Sequence, residues 1–397
     1  MPWKTQDVMN LRMEFVIKAL QPGANFRALC REAGISPKTG YKWQERFLDE
    51  GKAGLADASR RPRGSPSQVP EAVVCELVRL KQGHRSWGPR KIRELYLRLH
   101  GGAPSASSCQ RILTKAGLVQ IRRQRKACMA GRLSRRVVAR APNDVWTVDF
   151  KGWWFTGGQR CEPLTVRDEF SRFLLSARAL SCSTTECVRS EFERLFEEYG
   201  LPRVIRSDNG IPFACRHGLL GLTRLSAWWL VLGIDLDRIR PGHPEENGAH
   251  ERLHRDIAYE IEGLVSGGLP EQQAALDAWR QSFNEERPHE ALQMHSPAQI
   301  YRKSLRRYNG TPERIAYRQG FLTRNVSPRG VIKIHTNHLF ISQSLGGWQI
   351  GLNPISADEM ELWFTELFLG KIDLTGGGFL AAHGRQEPAS DPCARSS

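Results

Sequence analysis

No stretch of the 397 residues approaches the roughly 20 uninterrupted apolar residues that a membrane span requires, which excludes an integral membrane protein built on helices. The amino terminus, MPWKTQDVMNLRMEF, interrupts its apolar residues with charges every few positions and so lacks the continuous apolar segment of a secretory signal. A cytoplasmic, nucleoid-associated protein is expected. The nine cysteines are odd in number and scattered, with no CxxC pair and no Cys/His cluster at zinc-finger spacing. That excludes a disulfide framework and a structural zinc, leaving reduced thiols. Acidic residues are missing altogether between Gly101 and Pro142, where ten basic residues stand.

What is present is cationic and one-sided. The chain has 58 Lys+Arg against 42 Asp+Glu, yet Met1 to Pro142 alone holds 29 basic and 10 acidic residues, while the remainder is close to neutral. The basic run concentrates in Arg122, Arg123, Arg125, Lys126, Arg132, Arg135, Arg136 and Arg140. A linker that is basic only for solubility usually mixes both signs. Segregated charge suits a polyanion, with counterion release supplying affinity, so double-stranded DNA is the expected partner.

Hydrophobic residues at 40% and a length that allows two to four domains fit a globular chain. Phe26 to Gly51 reads as helix, tight turn, helix, with Ser36 and Pro37 as cap and first residue of the second helix. Trp43, Phe47 and Gly40 share one face of that helix. Lys38, Thr39, Lys42 and Arg46 point elsewhere, as they would in a helix-turn-helix facing the major groove. An ordinary helical hairpin reads the same from this segment alone, and Gly40 costs the helix about 1 kcal/mol relative to Ala. A second helical unit follows the Arg60–Ser67 linker. Trp87-Gly88-Pro89 opens a helix with Ile92, Leu95, Tyr96 and Leu99 as its buried stripe, and Ser105 or Ser107 caps another running to Lys115. Gln110, Arg111 and Lys115 are its candidates for phosphate or base contact.

From Asn143 the pattern turns to strands. Trp146, Val148 and Phe150 alternate with Thr147 and Asp149, placing Asp149 opposite the apolar trio. Pro163–Asp168 and Arg172–Leu180 read as strands, Thr184–Tyr199 as an amphipathic helix, Pro202–Arg206 as a strand, Leu219–Leu232 as a buried helix and Ile234–Ile239 as a last strand. Asn247 caps a helix running past Glu260. Asp149 on the first strand, Asp208 at the end of a later one and Glu251 in the first turn of that helix converge if the elements neighbour one another. Carboxylates about 4 Å apart repel by roughly 4 kcal/mol per pair at an effective dielectric of 20, so the cluster needs a counter-charge. Oxygen ligands favour Mg²⁺ or Mn²⁺, and two such ions clamp the attacking and leaving oxygens of a phosphoryl displacement. Asp168-Glu169 sits at a hairpin turn and is assigned to structure. His243, His250 and His254 are read as lacking accompanying cysteines or a dedicated helical spacing, and so as solvated or phosphate-facing.

Trp146-Thr147-Val148-Asp149-Phe150, Arg206-Ser207-Asp208-Asn209-Gly210 and Pro241 to Arg252 resemble, in order and spacing, the three acidic blocks of bacterial insertion-sequence transposases with a retroviral-integrase-type catalytic core. Asn284-Glu285-Glu286-Arg287-Pro288-His289-Glu290-Ala291-Leu292, followed by Ser296-Pro297, resembles the closing segment of that core. The likeness runs from the first helical hairpin to about Tyr301. It implies an RNase H-like α/β core, a mixed sheet with flanking helices, whose Asp149, Asp208 and Glu251 are catalytic and hold Mg²⁺ or Mn²⁺ as a pair of ions. Glu245 and Glu246 lie in the preceding loop, whereas Glu251 is on the helix. The 42 residues between Asp208 and Glu251 exceed the spacing of many relatives, with the extra length around Trp228-Trp229.

Beyond the core, Gly330–Leu374 alternates as a small β-barrel of about five strands. The expected domains are helix-turn-helix units at 1–59 and 70–118, joined by a linker at 60–69, and a basic linker at 119–142. The core follows at 143–305, then a linker at 306–329, the barrel at 330–375 and a disordered tail at 376–397. The resemblance implies a DDE transposase that binds the ends of its element, cleaves at the 3′ ends and joins the freed 3′-OH to target DNA, as a homo-oligomer on DNA and without a nucleotide cofactor. A non-catalytic DNA-binding regulator and a metal-dependent nuclease without strand transfer are the alternatives.

Overall fold

The computed structural model describes residues 7–57, 68–119, 137–240, 243, 247–265, 267–375 and 378–382, which divide into two units, Met1–Pro70 and Glu71–Ser397. In the first unit, helices α1 (Val8–Ala19), α2 (Phe26–Glu32) and α3 (Pro37–Glu50) close over Phe15, Val16, Cys30, Trp43 and Leu55. The Ser36 hydroxyl accepts the Thr39 amide at 3.2 Å, so α3 starts where the sequence places its cap. Gly40 is explained by close approach. A Cβ there would stand 2.8 Å from Cys30 Sγ and 3.0 Å from the Phe15 ring, so the helix-propensity cost is accepted where α1 and α2 press on α3.

The second unit opens with α4 (Glu71–Gly83), α5 (Pro89–His100) and α6 (Ala106–Lys115), packed around Leu77, Leu80, Trp87, Ile92, Tyr96, Cys109 and Leu113. Ser105 is the cap of α6 and accepts the Ser108 amide at 3.2 Å. Leu99 departs from the expected stripe at 57% exposed, since no core residue of α5 lies beyond Tyr96.

Strands β1 (Val145–Phe150), β2 (Trp154–Thr156), β3 (Gln159–Asp168) and β4 (Leu174–Leu180) precede α7 (Thr185–Tyr199), β5 (Val204–Ser207), α8 (Arg224–Val231) and β6 (Asp235–Arg238). Then come α9 (Gly248–Glu260), α10 (Leu269–Glu285) and α11 (Pro297–Ile300). The sheet runs β4-β3-β1-β5-β6, with β2 also on β3; β1, β5 and β6 are mutually parallel and the β3 pairings antiparallel. One face buries Trp146 and Val148 against Phe192 and Phe196 of α7 and Trp228 and Trp229 of α8. The expected helix over Leu219–Leu232 is shorter: Leu220 has a positive φ, and the Thr223/Ser226 capping box starts α8 at Arg224.

Asp168 is the structural acid the hairpin reading expects. Its fully buried carboxylate accepts the Asn143 amide (2.7 Å), the Ser171 amide (2.7 Å) and the Ser171 hydroxyl (2.5 Å), locking β1 to the β3–β4 turn. Asp168→Ala strands these buried donors and is expected to cost about 3 kcal/mol, read as a lower thermal midpoint. The closing segment is a brace. Asn284 pairs with both backbone groups of Leu174 on β4, and Arg287 is bonded to Asp256 of α9.

The carboxyl-terminal strands are β7 (Leu322–Asn325), β8 (Val331–Ile334), β9 (Asn337–Phe340), β10 (Gln349–Pro354), β11 (Glu359–Phe364), β12 (Leu367–Asp373) and β13 (Gly378–Ala381). They form an antiparallel sheet ordered β13-β12-β11-β10-β7 and a separate β8–β9 hairpin. An antiparallel sheet region stands where the barrel is expected: among the described residues β7 and β13 each carry a ladder on one side only, and no ladder joins them into a ring. Two boundaries move as well. β7 falls in the stretch read as a linker and β13 in the stretch read as tail, both recruited by pairing partners distant in sequence. Leu222 and Ala227 enter the core of this sheet, so it is packed on the α8 side of the larger one. No described helix is long and apolar enough to cross a membrane.

Candidate acidic site and nucleic-acid contacts

Strand alternation puts Thr147 and Asp149 on the β1 face that α9 covers, opposite Trp146 and Val148. Asp208 follows the end of the neighbouring parallel strand β5 and is shaped by its own turn. The Gly210 amide donates to its Oδ1 at 3.1 Å, and a Cβ on Gly210 would stand 2.9 Å from its Oδ2. Glu251 lies exposed in the first turn of α9. The three converge electrostatically. Burial, then the charge of Asp208 and, more weakly, that of Glu251 push the Asp149 carboxyl up from its ordinary 3.8 to about 7, against the Asn247 amide that bonds it.

Asn247 does not cap α9 with its side chain. It turns inward instead, and its Nδ2 donates to Asp149 Oδ2 at 2.6 Å. Glu251 is four residues on, one turn along the same helix face. The expected reading of the histidines is corrected: His250 is 1% exposed and His254 half-buried, both on the α9 face that meets the sheet. The i, i+4 spacing of these two is the signal the sequence carried, since it places both rings on one helical stripe. His243 is half-buried. Ligating atoms of Asp149, His250 and His254 all lie within 4.8 Å of one another.

The donor atoms that could hold a metal ion together are one carboxylate and two imidazoles, those of Asp149, His250 and His254, with Asp208 and Glu251 acting on Asp149 through their charge and burial raising its carboxyl most. The sign of the pH dependence follows. Asp149 ionises near 3.8 in the unfolded chain and near 7 when folded, so the folded state holds more protons between these values and metal-free stability falls as pH rises from about 4 to about 7. The loss is at most about 4 kcal/mol. Thermal unfolding in chelator is expected to show a lower midpoint at pH 8 than at pH 5, with Mg²⁺ or Mn²⁺ closing the gap; an equal midpoint with and without metal at pH 8 would contradict the site.

Of the expected DNA contacts, Lys38 and Lys42 of α3 are exposed and Thr39 and Arg46 half-buried, with Thr39 bonded to Ser36 and Arg46 lying 5.4 Å from the Trp43 ring centroid. On α6, Gln110, Arg111 and Lys115 are all exposed. Arg140 is exposed, its amide tied to Asp144. Arg122, Arg123, Arg125, Lys126, Arg132, Arg135 and Arg136 fall outside the described residues, as do Glu245 and Glu246. Sequence reasoning missed a groove of about 2100 Å³ between the 211–224 loop, β6 and the carboxyl-terminal sheet, lined among others by Arg216, Arg238, Arg240, Phe321 and Trp363. Ile239 in its wall accepts the Asn209 side chain at 2.5 Å, so it starts beside Asp208.

The α4–α6 unit is fastened to the same core. Glu260 of α9 accepts the Ser86 amide at 3.1 Å, Arg98 donates to Met294 O at 2.5 Å, and Arg90 pairs with Glu290. Burial here, and then Arg287, push Lys91 down to about 8.

Residues 139–244 and 232–297 match family models described as integrase core domain; residues 11–63 match a helix-turn-helix domain and 39–113 a homeodomain-like domain. The chain is 28% identical over 254 residues to an uncharacterized 31.7 kDa protein of insertion element IS407 from Burkholderia multivorans, covering 63% of this chain and 88% of that protein. It is 28% identical over 257 residues to a 39.2 kDa protein of insertion element IS476 from Xanthomonas euvesicatoria, covering 62% and 70%. Similar solved structures include the HTLV-2 integrase catalytic core domain in complex with magnesium (TM-score 0.31, 16% identity, 42% of this chain and 100% of that one). Another is the catalytic core domain of BIV integrase (TM-score 0.31, 23% identity, 40% and 93%).

Proposed function

On the premise that the chain carries an integrase core behind helix-turn-helix domains and is similar to insertion-element proteins, we propose that it is the transposase of such an element, cleaving at the element's 3′ ends and joining them to target DNA. The observation that carries this reading is that burial, then the charge of Asp208 and more weakly that of Glu251, lift the Asp149 carboxyl to about 7. Such a cluster is costly in a protein with no cation to place in it.

Asp149, Asp208 and Glu251 would hold Mg²⁺ or Mn²⁺, which supplies Lewis-acid activation of the attacking oxygen and charge neutralisation at the leaving one. The chain's own residues do the positioning. Asn247 fixes the Asp149 carboxylate, and the Gly210 amide orients Asp208. The units at 1–59 and 70–118 would read the element ends through α3 and α6, and the basic stretch at 119–142 would hold the phosphate backbone. The groove beside Asp208, with arginines for phosphates and aromatic rings for bases, would guide DNA at the site. The core at 143–305 and the segment after it act as a homo-oligomer on two ends.

The deciding experiment supplies a duplex of the element end with a precut 3′-OH, a supercoiled plasmid and Mg²⁺. Joined product supports transposition. Nicking of either DNA without joining identifies a nuclease, and end binding without any strand breakage or joining identifies a regulator.

A further inference from the structure

Thr165 of β3 sits between Asp149 and the two histidines of α9. Its hydroxyl is 3.0 Å from the Asp149 carbonyl, 3.1 Å from His250 Nδ1 and 2.8 Å from His254 Nε2. A carbonyl oxygen only accepts, so the single hydroxyl proton goes to Asp149, and the two oxygen lone pairs receive N–H bonds from both rings. This fixes the tautomer of His254. His250 is held on its other side by the Thr147 hydroxyl, 2.7 Å from its Nε2, a hydroxyl that also has the Arg167 carbonyl at 3.3 Å. His254 carries its proton on Nε2, which leaves the lone pair of Nδ1 facing Asp149 Oδ2 at 3.9 Å. His250 is thus fully used, and His254 keeps one donor atom for something else.

Neutral imidazole is the ligating form, and the bond to Thr165 leaves the His254 Nδ1 lone pair on the side of Asp149. An ion about 2.1 Å from each of two donors spans donors up to about 4.2 Å apart, which the His254–Asp149 separation satisfies.

Resting on the acidic site described above, we propose that His254 Nδ1 is a nitrogen ligand beside Asp149, so that the site takes one ion through mixed nitrogen and oxygen donors and selects Mn²⁺ or Zn²⁺ over Mg²⁺ at that position. Imidazole suits the later transition metals, whereas Mg²⁺ prefers oxygen. Thr165 acts as the outer support that holds the ring in the ligating tautomer.

The test uses the full chain loaded with Mn²⁺ alone, without DNA, and reads pulsed electron paramagnetic resonance. Coupling of the Mn²⁺ electron spin to a directly bound ¹⁴N is expected in the parent protein and absent in His254→Gln, whose amide can still donate to Thr165. In competition titrations His254→Gln is expected to lose 10-fold or more in Mn²⁺ affinity while Mg²⁺ affinity changes less than twofold. Mn²⁺ bound without nitrogen coupling in the parent protein overturns the ligand assignment and needs no variant to fold. Equal losses for both metals also overturn it, because they indicate a structural ring. Failure of the parent protein to bind Mn²⁺ at millimolar concentration sinks the acidic site itself, a result distinguishable from either of these.

Discussion

Asp208→Asn is expected to lower strand transfer by at least 10³-fold, while binding of a duplex element end changes less than twofold. The substitution keeps the shape of the side chain and its bond from the Gly210 amide, since the amide oxygen still accepts. What disappears is one unit of negative charge at the cation site. A loss of 10³ corresponds to about 4 kcal/mol of transition-state stabilisation, within what a metal centre supplies to phosphoryl displacement. The expected recognition residues, Lys38 and Lys42 on α3 and Gln110, Arg111 and Lys115 on α6, lie on separate elements, so end binding is independent of the change. A second readout guards against misfolding. Because Asp208 helps to hold Asp149 high, the variant should bring the Asp149 carboxyl down from about 7, and the metal-free loss of stability between pH 4 and 7 should shrink. Strand transfer at more than a tenth of the parent rate would remove Asp208 from the machinery.

How much of this site was legible in the sequence depends on the range of the interactions that build it. Asp149 could be placed because a strand's side chains alternate, and the structure keeps Trp146 and Val148 in the core and Asp149 on the other face. The cap at Ser36 was legible, and that of α6 to within two residues as Ser105 or Ser107, because capping is settled within four residues. Asn247 shows the limit of the same rule: a residue suited to cap α9 is recruited by a carboxylate 98 positions away in the chain. His250 and His254 were misjudged for the same reason, their environment being supplied by Thr147 and Thr165 from two other strands. Helix α10, with Leu276 and Phe283 buried, and strand β2 were passed over, although Pro270 at the start of α10 was a readable signal. The carboxyl-terminal sheet illustrates another limit. Alternation gives strands, but closure into a barrel is decided by which edges pair, and that is written nowhere locally.

End binding should fall by 10³- to 10⁵-fold between 50 and 200 mM monovalent salt. The reason is the one-sided charge of the chain, with 29 basic and 10 acidic residues before Asn143. A protein neutralising six to ten phosphates releases their counterions, which gives a slope of log affinity against log salt of roughly −5 to −9. The expected recognition helices α3 and α6 supply four exposed cations toward that number in Lys38, Lys42, Arg111 and Lys115, and the basic stretch before Asn143, Arg140 included, is expected to supply the remainder. The two sources separate by substitution. Arg111→Ala together with Lys115→Ala should make the slope shallower by about 2 if both contact phosphate, with specificity for the element end unchanged. Should either residue read a base edge instead, the double variant would lose about 1–3 kcal/mol against the true end and little against unrelated duplex. A slope shallower than about −2 in the parent protein would mean that this charge does not meet the DNA backbone, and with it would go the assignment of the first 142 residues to end binding.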